Sequence, residues 1–195
     1  AGDKPNVLFL MADDLRPELG CYGAGHVISP NIDRLAKRGR MFEHAYCQQA
    51  LCNPSRASML TGLRPDSLGI WNLPTHLRQR RPGIVTLPQH FRNNGYFTEC
   101  VGKIFHNWRQ DIHGDPQSWS VPQFMHYARH DDDKPRVEGK PPGNEIKLPR
   151  STIRDVPDEA YFDGRIATRA IESLRGLKKN RKPFFLAVGF WKPHL

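Results

Sequence analysis

Apolar residues fall in short blocks along the chain, and the spacing within each block predicts its element. Asn6 to Ala12 is a continuous apolar run, the pattern of a strand buried on both faces of a parallel sheet. It stops at Asp13-Asp14. Ser29-Pro30 opens a helix predicted to run through Lys37, with Gly39 as its stop. Cys52-Asn53 leads into Pro54, which suits a first helical turn, and this helix is predicted to end near Gly62. Thr86 caps a further short helix, stopped by Gly95. Tyr96 to Val101 is a second strand candidate and ends at Gly102-Lys103. Phe162, Ile166, Ala170, Ile171, Leu174 and Leu177 follow a helical stripe, and Phe184 to Phe190 is a third apolar strand. Residues 107–157 are rich in Pro, Gly and charge, without periodicity, and read as a long excursion rather than a linker between domains. No internal repeat is visible.

This alternation predicts an α/β layered fold with a mostly parallel central sheet flanked by helices. All three strands end in polar or ionisable groups: Asp13-Asp14, Lys103 with His106, and Lys192 with His194. Open α/β sheets gather ligands at the carboxyl ends of their strands. The recurrence therefore points to one site on one edge of one sheet.

The chain has 195 residues, 38% of them hydrophobic, enough for one sizeable core or a large piece of one. No apolar stretch approaches the roughly 20 residues that span a bilayer. Ala1-Gly2-Asp3 is compatible with the remnant left after signal-peptide removal. The formal net charge is +9, and no acidic residue lies between Ser67 and Thr98, while Arg78, Arg80, Arg81 and Arg92 do. That stretch is either a solvated basic face or a local field for an anionic substrate. No nucleic-acid-binding motif accompanies the charge. The four cysteines, Cys21, Cys47, Cys52 and Cys100, are an even count that invites two disulfides, and they show no CxxC or Cys/His zinc spacing; if Cys52 is modified, three remain, and buried free thiols become their simplest description.

Several residues carry chemistry under one reading and structure under another. Asp13-Asp14 is either a solvated loop pair, with Asp14 bonded locally to Arg16, or a pair of hard oxygen ligands for Mg²⁺ or Ca²⁺. Cys52 precedes a helix N-terminus, which favours anions. It is either structural or a reactive thiol with a lowered pKa. A thiolate is an odd partner for two hard carboxylates, and the mismatch disappears if the sulfur is replaced by oxygen. Arg56, one turn further on, either clamps an oxyanion or covers the surface. Lys103 can neutralise a sulfate or phosphate oxygen, and His106 and His194 can move protons. Asp131-Asp132-Asp133 lacks EF-hand spacing and reads as a solvated turn.

Taken in order, four segments resemble the type I sulfatases of the alkaline-phosphatase superfamily. They are Pro5-Asn6-Val7 through Asp13-Asp14, Cys52-Asn53-Pro54-Ser55-Arg56 with Thr61-Gly62, Gly102-Lys103 with His106, and Lys192-Pro193-His194. The second matches the C-x-P-S-R…T-G signature read by the formylglycine-generating machinery. Asp13 to Pro17, Leu19 to Gly23, Ser29 to Asp33, Phe105-His106 and Phe184 to Gly189 are most similar to the iduronate-2-sulfatase subgroup and its bacterial relatives, which act on sulfated sugars, often 2-O-sulfated uronic acids. Trp71 to Thr75, where human-type members place substrate contacts, departs from their sequence, and Trp71 is the candidate contact there.

The resemblance implies an alkaline-phosphatase-like fold and a formylglycine (3-oxoalanine) at Cys52. The hydrated aldehyde would attack sulfur and release the sugar alcohol. His106 would assist expulsion of sulfate. His194 would protonate the leaving oxygen or hold the sulfate, and Lys103 and Arg56 would stabilise charge. Asp13, Asp14 and residue 52 would hold Ca²⁺, with Mg²⁺ possible. The remaining ligands would lie beyond Leu195, making residues 1–195 the N-terminal part of a catalytic domain and inactive alone. Implied partners are a sulfated carbohydrate, the rest of the chain and the maturation enzyme, in an exported protein. Two alternatives stand beside this: a phosphate or phosphonate monoester hydrolase of the same superfamily, and a catalytically silent polyanion-binding module.

Overall fold

Three of the apolar blocks pair into one parallel sheet, in a computed structural model that describes residues 4–126 and 155–194. The strands are β1 (Val7–Ala12), β2 (Phe97–Gly102) and β3 (Phe184–Phe190), in the order β1-β3-β2. Val7 and Thr98 both register with Phe185, so all three carboxyl ends emerge on one edge. Among the described residues six α-helices accompany them: α1 (Pro30–Arg38), α2 (Cys52–Thr61), α3 (Pro65–Leu68), α4 (Leu77–Arg80), α5 (Leu87–Asn93) and α6 (Phe162–Lys179).

Local chemistry sets the ends of these helices. Gly62 stops α2 in the left-handed conformation, at φ +71°, where a side chain would be strained. At the start of α5 the Thr86 hydroxyl accepts from the Gln89 backbone N–H, and the Gln89 side chain accepts from that of Thr86. The helices α3 and α4 are absent from the sequence prediction, because four residues are too few to show a 3.6-residue period.

The sheet has a core on each face. One joins Phe185, Ala187 and Cys100 to Leu60, Leu68, Ile70, Leu77 and Trp119. The other packs Ile166, Ala170 and Leu177 of α6 on Val101, Leu186 and Val188. Two expectations need correction. β1 is not buried on both faces: Val7, Phe9 and Met11 pack inward, whereas Leu8 and Leu10 are 46% and 53% exposed. α6 covers β2 and β3 on that face and leaves β1 open. In α6 itself, Ile171 lies off the buried stripe, and Ser173 takes that place, donating to Glu99 on β2.

The excursion after β2 begins against the sheet. Ser120 and Phe124 donate to Thr98 and Cys100, and Gly102 donates to Phe124, so the chain runs back along β2. Asp131-Asp132-Asp133 lies outside the described residues. At the far end of the sheet the backbones of β2 and β3 meet closely. A Cβ on Gly189 would stand 1.8 Å from the Lys103 carbonyl oxygen, so only glycine permits this contact. Lys103 donates its N–H to Gly189, and Asp13 donates its own to Phe190, which seats the ends of β1 and β2 on β3.

Candidate active site

Strand-end geometry brings Asp13, Lys103 and His194 to one place, and the N-terminus of α2 faces them. Asp13 is buried, with its Oδ1 2.7 Å from an Arg56 guanidinium nitrogen and its Oδ2 in contact with the Lys103 ammonium. Burial pushes its carboxyl up, but Arg56 and Lys103 pull harder, and the result lies below the ordinary 3.8. Asp14 takes the left-handed conformation, at φ 58°, which aspartate tolerates better than most residues. Its Oδ2 lies 2.5 Å from His194 Nδ1. The expected Asp14–Arg16 pair does not form; Arg16 pairs with Glu18 at 2.8 Å.

Cys52 is the first residue of α2. Its Sγ lies 3.9 Å from Asp13 Oδ2 and 4.0 Å from Asp14 Oδ1. Burial pushes the thiol pKa up, and the two aspartates add to that against Lys103 and Arg56. Burial thus works against the lowered thiol pKa that a helix N-terminus alone would suggest. One atom each from Asp13, Asp14, Cys52 and His194 falls within 4.8 Å of the others. The carboxylates suit a hard divalent cation, and their oxygens have lone pairs beyond those that meet Arg56 and Lys103. The sulfur does not suit it. The donor set fits Ca²⁺ or Mg²⁺ once residue 52 presents oxygen.

Arg56 does not cover the surface, and it does not reach for a ligand with the donors that are placed. Its side chain is 5% exposed, with one nitrogen on the Lys103 and Ile104 carbonyls and the other on Asp13. It orients a carboxylate. Lys103 is buried with its ammonium 4.7 Å from the centre of the Trp191 ring. His106 is buried too. Burial, then Lys103 and Arg56, lower its pKa to about 4, so it is neutral at pH 7 and available as a base. A cleft of about 390 Å³ opens over Asp13, Asp14, Leu15, Gln49, Cys52 and Met59.

The loop carrying Trp71 is tied to this site by residues the sequence did not mark. Gln49 donates to the Trp71 carbonyl, Asn53 to those of Asn72 and Thr75, and Gln110 to those of Leu73 and Thr75. Gln49 and Gln110 lie in no motif, and Asn53 fills the variable position of the Cys52 to Arg56 signature, so none of them gives a chemical signal. Trp71 itself donates its indole N–H to Asp66 and is 55% exposed. The expected basic stretch is partly spent on structure. Arg78 is buried in a bidentate pair with Asp115, while Arg81 and Arg92 donate to the backbone carbonyls of Ser67 and Gln117. All four cysteines are free thiols, but only Cys100 is buried.

The Sulfatase family model matches residues 5–195. The chain belongs to the sulfatase family. Human iduronate 2-sulfatase is 41% identical over 198 residues, covering 99% of this chain and 36% of the human protein. The sulfatase chain thus spans about a third of that relative. Among solved structures, Ps i-CgsB in complex with k-i-k-neocarrahexaose superposes with a TM-score of 0.72 at 26% identity, over 99% of this chain and 46% of that one. The phosphonate monoester hydrolase of Agrobacterium radiobacter gives 0.72 at 23% identity, over 98% and 42%, which shows a shared fold. The α/β fold expected from the resemblance is the one found, and among the described residues no helix is long and apolar enough to cross a membrane.

Proposed function

We propose that the protein containing this chain hydrolyses sulfate esters on carbohydrate, with 2-O-sulfated uronic acids or related sulfated saccharides as substrates. One observation carries the reading: the α2 N-terminus places residue 52 against two carboxylates and an imidazole, beside a buried lysine. The similarity to human iduronate 2-sulfatase supports the substrate class.

In this reading Cys52 is converted to formylglycine by a maturation enzyme that recognises Cys52 to Arg56 with Thr61-Gly62, and the hydrated aldehyde supplies an oxygen nucleophile. Asp13 and Asp14, with residue 52, hold Ca²⁺, which supplies Lewis-acid polarisation when bound. Lys103 offers positive charge to a sulfate oxygen inside a buried, low-dielectric site. His194 faces the same site and delivers a proton to the leaving sugar oxygen. His106, buried and neutral, accepts a proton when sulfate is expelled. Arg56 holds Asp13 and thereby indirectly sets the geometry of the site. Trp71, fixed through Asp66, offers an apolar face to a sugar ring. Residues 1–195 form the N-terminal part of the catalytic domain, and the protein is exported.

The test is turnover of a 2-O-sulfated unsaturated uronide disaccharide by the full-length protein, against a phosphate monoester of the same alcohol. The sulfate ester should be cleaved preferentially, and residues 1–195 alone should cleave neither. Preference for the phosphate ester would move the protein to the monoester-hydrolase reading. Trp71→Ala should raise KM with kcat nearly unchanged.

A further inference from the structure

The segment that delivers His194 leaves the sheet after Phe190, where the ladder no longer satisfies its backbone. Its two exposed-end amides are satisfied by a single carboxylate. Asp163 Oδ1 accepts from Trp191 N–H at 2.8 Å, and Oδ2 accepts from Lys192 N–H at 2.8 Å. His194 then donates its own N–H to the Trp191 carbonyl at 3.0 Å, closing a turn that sets its ring against Asp14.

The base of this bracket is rigid. Asp163 is the second residue of α6, and the next, Gly164, packs so closely that a Cβ would stand 1.8 Å from the Asp158 carbonyl oxygen. Arg165 donates to the carbonyls of Glu159 and Ala160, which fixes the approach to the helix. Phe162 meets the Trp191 ring edge-on, with centroids 6.0 Å apart, and Lys103 lies over that same ring. An acid in a first helical turn usually needs no explanation beyond the helix dipole. Here both of its oxygens are directed at the backbone just before His194.

We propose that Asp163 is a positioning residue for His194: it holds the 191–194 turn so that the imidazole reaches the leaving oxygen. This rests on the sulfatase reading above. Charge-assisted bonds to two amides are stronger than neutral ones, and a misplacement of about 1 Å in a proton donor can cost about 10²-fold in rate. A donor matters most when the leaving alcohol is a poor one. The effect should therefore depend on the leaving group, which a general loss of structure would not.

The experiment compares full-length parent, Asp163→Ala, Asp163→Asn, His194→Ala and the Asp163→Ala/His194→Ala double variant on two probes. One is the 2-O-sulfated uronide disaccharide, an alkyl sulfate; the other is 4-nitrocatechol sulfate, whose leaving group needs no proton. Asp163→Ala should lower kcat on the alkyl sulfate by about 10²-fold, with KM and aryl sulfate turnover within about threefold. Asp163→Asn, which keeps one acceptor, should fall between, and the double variant should lose no more than His194→Ala. Hydrogen exchange should quicken at Trp191 and Lys192 and stay unchanged across Phe184–Phe190. Equal losses on both esters, additive losses with His194→Ala, or unchanged exchange at 191–192 would overturn the proposal. A parent that cleaves neither ester sinks the sulfatase reading instead, and exchange at 191–192 in Asp163→Asn then decides the positioning claim alone.

Discussion

Replacing Arg56 by Met tests how the site is held together. The change keeps the length of the side chain and removes three bonds: to the Lys103 carbonyl, to the Ile104 carbonyl and to Asp13. Each is buried, so solvent cannot replace it. Breaking one side of a buried ion pair costs about 3–5 kcal/mol, because the partner charge is left behind. Lys103 still touches Asp13, which limits that term, while two carbonyls lose their donor at roughly 1–3 kcal/mol each. A loss near the upper end, about 4–5 kcal/mol, is expected. With a urea slope of roughly 2 kcal/mol per molar, the midpoint should fall by about 2 M. The pH dependence supplies a second readout. The Asp13 carboxyl lies below its ordinary value, so its stabilisation is complete above about pH 3.8 and lost as pH falls through the lower folded value. Without Arg56 the folded value rises, and acid unfolding should begin at higher pH. Coupled urea midpoints for Arg56→Met, Asp13→Asn and the double variant should show an interaction above roughly 1 kcal/mol. A midpoint shift under about 0.3 M for Arg56→Met would refute this account of the site.

Three further outcomes follow. His106 has a folded pKa of about 4 against an ordinary 6.5, so stability is complete above pH 6.5 and should fall by roughly 3 kcal/mol as pH drops toward 4; urea unfolding at pH 7 and pH 5 should show a flatter dependence in His106→Gln. Gly189→Ala puts a methyl 1.8 Å from the Lys103 carbonyl oxygen, and soluble yield or thermal midpoint should collapse. Asn53→Ala removes a donor from the Asn72 and Thr75 carbonyls and should raise KM while kcat holds, since the loop bearing Trp71 loses one of its ties and keeps the one from Gln110.

Much of this architecture is legible in the chain. β1 and β3 announce themselves as apolar runs, and β2 as a more mixed one; each ends in the polar groups expected at the site, because parallel strands share a carboxyl edge. Pro54 and Gly62 mark the limits of α2, since φ restrictions act locally. What was hidden depends on tertiary contact. Leu8 and Leu10 read as core because nothing local tells which faces α6 covers. Arg78 counted toward a basic field, yet Asp115, far along the chain, buries and neutralises it. The raised thiol pKa of Cys52 runs against the local expectation, since burial disfavours the thiolate and the nearby carboxylates add to that. Gln49, Gln110 and Asp163 act through backbone groups and lie in no motif, and Asn53, which does the same, fills only the variable position of the Cys52 to Arg56 signature.

The account turns on the chemical identity of residue 52. Peptide mass spectrometry across Cys52, on protein from its native source, measures it directly. A loss of about 18 Da, sulfur replaced by an aldehyde oxygen, is the result expected. Unmodified cysteine in the native protein would contradict the account, and would leave the carboxylates of Asp13 and Asp14 facing a thiol that neither they nor a hard cation favours.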